Sequence, residues 1–123
     1  MSRALQAMYQ CESSRQGFTK ADLAFHQAIL EASANPFLQS IGSVIGAALA
    51  TSFTISSPVS SDDRFREVMR QHQAVFDAIA QGDPAEASEA MSELILQAAE
   101  RVRIKHAESA LATVQIHAFS EGE

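Results

Sequence analysis

The stretch Asp22-Leu23-Ala24-Phe25-His26 decides how this chain folds. It sets a carboxylate and an imidazole four residues apart, inside a run whose other members favour burial. Side chains at i and i+4 share a helix face. Phe25, Ile29 and Leu30 fall on the same side, so Asp22 and His26 point toward a core. A buried Asp and His need partners: each other, a third polar group, a water or a metal ion.

Working outward, the helix carrying this pair is expected from about Phe18 to Ser33, with Thr19 as its N-cap. Before it, Ser2 to Ser14 has Leu5, Met8 and Cys11 at helical spacing, and Gly17 marks a break between the two. After it, Asn35-Pro36 closes one helix and opens the next, because proline is tolerated in a first turn and disfavours helix in the residue before it. That third helix is expected from Pro36 to about Thr54. Its Gly42-x-x-x-Gly46 spacing suits close approach to a neighbour in a bundle, or in a bilayer. Ile55 to Asp63 is the one clear loop, and its Ser and Asp residues offer a cap for the next helix.

The fourth helix, about Asp62 to Gln81, has the cleanest apolar stripe: Phe65, Val68, Met69, Val75, Phe76 and Ile79. Its centre is His72, a second imidazole facing a core. Gly82-Asp83-Pro84 stops this helix and starts the fifth, with Asp83 as N-cap and Pro84 at the first helical position. The fifth runs to about Ala107 and turns Ala87, Met91, Leu94, Ile95, Ala98 and Val102 inward. Residues 108–123 are expected to form a frayed helix or a disordered tail beyond a domain of residues 1–107. Five helices, short connections and no strand pattern specify an all-α antiparallel bundle.

Composition agrees and excludes some functions. The 123 residues include only 5 Gly and 3 Pro, few enough to favour helices. A net charge of -6 argues against this segment gripping a phosphate backbone, which needs a basic face. The single cysteine, Cys11, rules out an internal disulfide and a Cys-rich zinc site, and suits a reducing cytoplasm. No signal-peptide pattern is present near the first residue. No nucleophile-base pair, Gly-rich phosphate loop or paired acid/base carboxylates can be picked out, so an enzyme has little to rest on.

Asp22, His26 and His72 are thus the polar residues set in apolar stripes. A carboxylate with imidazoles suits a divalent ion such as Zn²⁺, Ni²⁺ or Mn²⁺, and bundle cores commonly hold such sites. An Asp–His hydrogen bond would satisfy Asp22 and His26 equally well. His106 and His117 lie in a charged helix end and the tail, where solvent is the expected surrounding.

Four motifs occur in one order and register: Asp22-x-x-Phe25-His26; Glu31-Ala32-Ser33-x-Asn35-Pro36-x-Leu38; His72-x-x-x-Phe76-Asp77-Ala78-Ile79-x-x-Gly82-Asp83; and Ala87-x-x-Ala90-Met91. Together, over about Leu5 to Ile104, the chain resembles the C-terminal effector-binding (FCD) domain of the FadR subfamily of GntR bacterial transcription regulators. It also looks like members that respond to sugar acids such as galactonate. The resemblance implies a homodimeric helical sensor of a small carboxylate, with DNA bound by an N-terminal winged helix. In many members an Asp and three His hold a metal ion beside the effector. Asp22, His26 and His72 match three of these ligands and double as effector-binding residues; the fourth position is Leu94, which weakens the metal site. The winged helix and the opening helices of the effector domain are missing from these residues, which implies a truncated member. A stand-alone helical metal-binding or interaction protein, without DNA-binding function, is the alternative.

Overall fold

The computed structural model describes residues 1–11, 13–44, 46–58 and 62–121. Among them, helices follow one another as α1 (Ser2–Gln10), α2 (Arg15–Ala32), α3 (Pro36–Val44), α4 (Gly46–Ile55), α5 (Asp62–Gln81) and α6 (Pro84–Glu121). There is no strand among the described residues, and the all-α bundle expected from the sequence is what forms.

Local chemistry sets several helix ends. Asp83 Oδ1 accepts the Glu86 amide at 3.0 Å and caps α6, while Gly82 takes a left-handed φ of 71° at the end of α5. Asn35 Oδ1 accepts the Phe37 amide at 3.0 Å and caps α3. The start of α2 differs from expectation. Ser14, not Thr19, is the cap, taking the Gly17 amide at 3.1 Å, and Gly17 lies inside the helix. A Cβ on Gly17 would stand 3.0 Å from the Ser14 hydroxyl and 3.1 Å from Cys11 Sγ, so glycine here permits a tight turn between α1 and α2. Thr19 is buried within α2 instead.

The expected third helix is two helices, α3 and α4, with axes bent by 62° across the Val44–Gly46 junction. Gly42 explains how closely α3 lies on α2, since a Cβ there would meet Leu30 Cδ1 at 2.9 Å. Gly46 stands on α4 beyond the bend, where a Cβ would meet only Gln27 Nε2 at 3.5 Å, so Gly42 alone of the pair is needed for close packing. No single helix among the described residues is long and apolar enough to cross a membrane. Of the connection after α4, the described residues Ser56, Ser57 and Pro58 are buried. Ser60 and Ser61, expected to offer a cap for α5, lie outside the described residues.

α5 and α6 form an antiparallel hairpin; α1 and α4 pack on α2, and α4 also touches α6. Large side chains stand between α2 and α5, with Phe18 meeting Phe65 edge to face at 5.7 Å. Met8, Phe18, Phe25, Val68, His72 and Val75 are almost wholly buried. Past Val102, α6 runs on across position 107 to Glu121, and residues 103–120 are exposed, Ile104, Leu111, Val114, Ile116 and Phe119 among them.

Candidate metal and effector site

Successive turns of α2 present Asp22 and His26 to one face, and the apolar stripe of α5 brings His72 against them. The three meet on one oxygen. Asp22 Oδ1 lies 2.9 Å from His72 Nε2 and 3.2 Å from His26 Nε2. Phe25 packs edge to face on His72 at 5.1 Å, and the Phe53 ring covers His26 at 4.9 Å. Asp22 and His72 are buried, and His26 keeps a modest opening to the surface.

Hydrogen bonding fixes the His72 tautomer. Its Nδ1 is 2.8 Å from the Val68 carbonyl oxygen, which only accepts, so Nδ1 carries a proton. The Nε2 that faces Asp22 then needs a proton of its own, or a cation, to avoid setting a lone pair against a carboxylate. A ring nitrogen bonded to a backbone carbonyl is also how metal-ligating histidines are oriented. Burial pushes the Asp22 carboxyl up, but hydrogen bonds from His26 and His72, with their charge, outweigh it and hold its pKa at about 2. Asp22 is therefore an anion at neutral pH.

One ligand atom from each of Asp22, His26 and His72 lies within 4.8 Å of the others. One carboxylate and two imidazoles is a donor set that fits a borderline divalent cation. Leu94, at the fourth ligand position of the family pattern, is buried in the adjoining wall and brings no donor. His106 and His117 are exposed on the far part of α6, away from this cluster.

The cluster opens into a cavity of about 460 Å³ between α2, α4, α5 and α6. Ile29, Leu30, Leu49, Phe53, Met91 and Leu94 are among the apolar residues that make most of its wall. A broader groove of about 640 Å³ on the outside of α1 and α5, lined by Tyr9, Met69 and Gln73, carries no comparable cluster among the described residues.

Sequence reasoning missed Arg101. It lines the cavity, half-buried, and its Nε donates to the Ser56 carbonyl at 2.9 Å. Burial and the nearby Arg64 pull its pKa below the usual arginine range, and Asp22 draws it back in part. Among the described residues no carboxylate forms an ion pair with it. A signal was present, because Arg101 continues the stripe Ala87, Met91, Leu94, Ala98 at helical spacing.

The FCD domain family matches residues 1–97 of this chain. The galactonate operon transcriptional repressor of Escherichia coli (strain K12) is 27% identical over 100 residues, covering 81% of this chain and 43% of the repressor. YieP of the same organism, described as an uncharacterized HTH-type transcriptional regulator, is 37% identical over 81 residues, covering 66% of this chain and 33% of the regulator. The chain thus spans less than half the length of either relative. No solved structure gives a significant match.

Proposed function

The chain belongs to the FCD domain family of GntR/FadR-type transcription regulators, and on that premise we propose that it senses a small organic acid in the cavity between α2, α4, α5 and α6. The observation that carries this is the buried anion Asp22, held by two imidazoles in the wall of a largely apolar cavity. Keeping ionisable groups dry is costly, and a ligand anchor is a reason to retain them.

Asp22, His26 and His72 are the residues that would hold a divalent ion, Zn²⁺, Ni²⁺ or Mn²⁺. Such an ion supplies a Lewis-acidic anchor for an acid's oxygen atoms. Leu94 favours a second form of the same site, in which no ion is bound and the acid hydrogen-bonds directly with the cluster, taking the place of one of the Asp22–imidazole contacts. In both forms Val68 fixes the His72 ring and Phe53 fixes the His26 ring, so the anchor is preorganised.

The galactonate repressor's name puts sugar acids among the first ligands to try. In the regulator, this domain would pair with a second copy in the cytoplasm, and a winged helix not among these residues would read DNA. The acid acts by binding one arrangement of the dimer more tightly than the other, since only differential affinity shifts such an equilibrium.

The test is a thermal melt of the chelator-stripped protein with Zn²⁺, Ni²⁺ and a panel of acids, singly and combined. A ligand specific to the folded state adds about 2.7 kcal/mol at a hundred times its dissociation constant. The proposal expects stabilisation that His72→Ala removes. Stabilisation that His72→Ala leaves intact would place the ligand elsewhere.

A further inference from the structure

The polar groups on the cavity wall are few. Beyond Asp22, His26 and His72, the described lining residues contribute Ser52, Ser56 and Arg101. Ser56 is already engaged, its carbonyl accepting from Arg101 and its hydroxyl donating to the Phe53 carbonyl at 3.4 Å. The rest of the wall is aliphatic and aromatic, from Ile29 and Leu30 on α2, Leu49 and Phe53 on α4, and Met91 and Leu94 on α6.

Among the described residues, Arg101 is the one fixed cation in this wall. The backbone bond from Nε to Ser56 pins the guanidinium, and the remaining N–H groups form the planar fork that suits a carboxylate. A half-buried arginine with no acidic partner among the described residues is a ready anion receptor.

We propose that Arg101 is the carboxylate anchor of the cavity, and that the acid it takes has an apolar body, as a short aliphatic monocarboxylate does. This rests on the acid-sensing function proposed above and narrows its ligand class. A polyhydroxylated sugar acid would bring several hydroxyls into a wall whose polar groups are few, so that those set against Leu and Phe side chains lose water without a replacement partner. An alkyl chain loses nothing there and gains the burial. Arg101 lines the same cavity as Asp22, His26 and His72 without a hydrogen bond or ion pair to any of them, so its carboxylate contact does not require a cation on those three residues.

The test is calorimetric titration of the full chain with hexanoate, hexanamide and galactonate, in chelator and again with Zn²⁺. Hexanoate should bind more tightly than galactonate, and at least about tenfold more tightly than hexanamide, because only the acid makes a charge-assisted bidentate contact. Arg101→Gln should remove most of the preference for hexanoate over hexanamide, and Arg101→Lys should restore only part of it. Because Arg101 also braces Ser56, the acid-to-amide comparison on the unaltered chain stands without any variant. Equal binding of acid and amide would overturn the inference. Galactonate binding as well as hexanoate, with Arg101→Gln indifferent, would overturn it and leave the acid-sensing function standing. No binding by either acid, in either buffer, would overturn both.

Discussion

Asp22→Asn tests the energetics of the buried cluster. Held at about 2 against an ordinary 3.8, the Asp22 carboxylate contributes roughly 2 kcal/mol to folding, since each tenfold in proton affinity is worth about 1.4 kcal/mol. The carboxyl's pKa is lowered on folding, so this contribution is complete above the unfolded value of 3.8 and is lost as pH falls through about 2. The amide of Asn is similar in size and can donate to His72 Nε2, so the substitution removes the charge without opening a cavity. Urea unfolding in chelator at pH 7, 5 and 3 is the assay. With a slope of roughly 1.5 kcal/mol/M, the variant's midpoint at pH 7 and 5 should fall by about 1.3 M. At pH 3 the gap to the parent should narrow, because Asn does not titrate. A variant as stable as the parent at pH 7, or a gap unchanged by acid, would refute the view that both imidazoles stabilise this carboxylate.

Leu94→His puts a third imidazole on the wall beside the cluster, and equilibrium dialysis should show Zn²⁺ bound at least about tenfold more tightly than by the parent. Unchanged affinity would mean that position 94 does not reach the ion. Ala34 holds a left-handed φ of 54° after α2, a conformation that costs a residue with a Cβ about 1–2 kcal/mol. Ala34→Gly should therefore raise stability by roughly 0.5–1 kcal/mol in urea unfolding, after its larger loss of chain entropy. Removing residues 106–123, most of them on the exposed end of α6, should change unfolding free energy by no more than about 0.5 kcal/mol. It should also improve solubility, since Leu111, Val114, Ile116 and Phe119 go with it. A large loss of stability would instead make that segment part of the fold.

Much of the site is legible in the sequence because its signals are local. Asp22 and His26 share a face by spacing alone, and His72 interrupts an apolar stripe, so three polar groups fall in the core on pattern alone. The Gly82-Asp83-Pro84 turn is legible for the same reason, since capping depends on neighbours only. The features that escape are non-local. Arg101 continues the inward stripe of α6, but as a charge it reads as solvent-facing, and the buried Ser56 carbonyl that pairs with it comes from 45 residues away. The bend between α3 and α4 also escapes. The run from Pro36 to Ile55 is apolar on nearly every side, and such a run does not reveal which face is buried or where it turns. Ser14 displaces Thr19 as a cap because α1 ends early, at Gln10, and leaves the chain room to start α2 sooner.

The four histidines allow the most direct test of the account, because two lie in the proposed site and two lie outside it. Long-range ¹H–¹⁵N NMR of the imidazoles reports tautomer and ligand contact at each ring. In the ligand-free protein, His72 should show a proton on Nδ1, as its 2.8 Å contact with the Val68 carbonyl requires. On titration with hexanoate or with Zn²⁺, the His26 and His72 signals should move together while those of His106 and His117 stay fixed. Movement confined to His106 or His117, or a His72 without a proton on Nδ1, would contradict the assignment of this cavity as the sensing site.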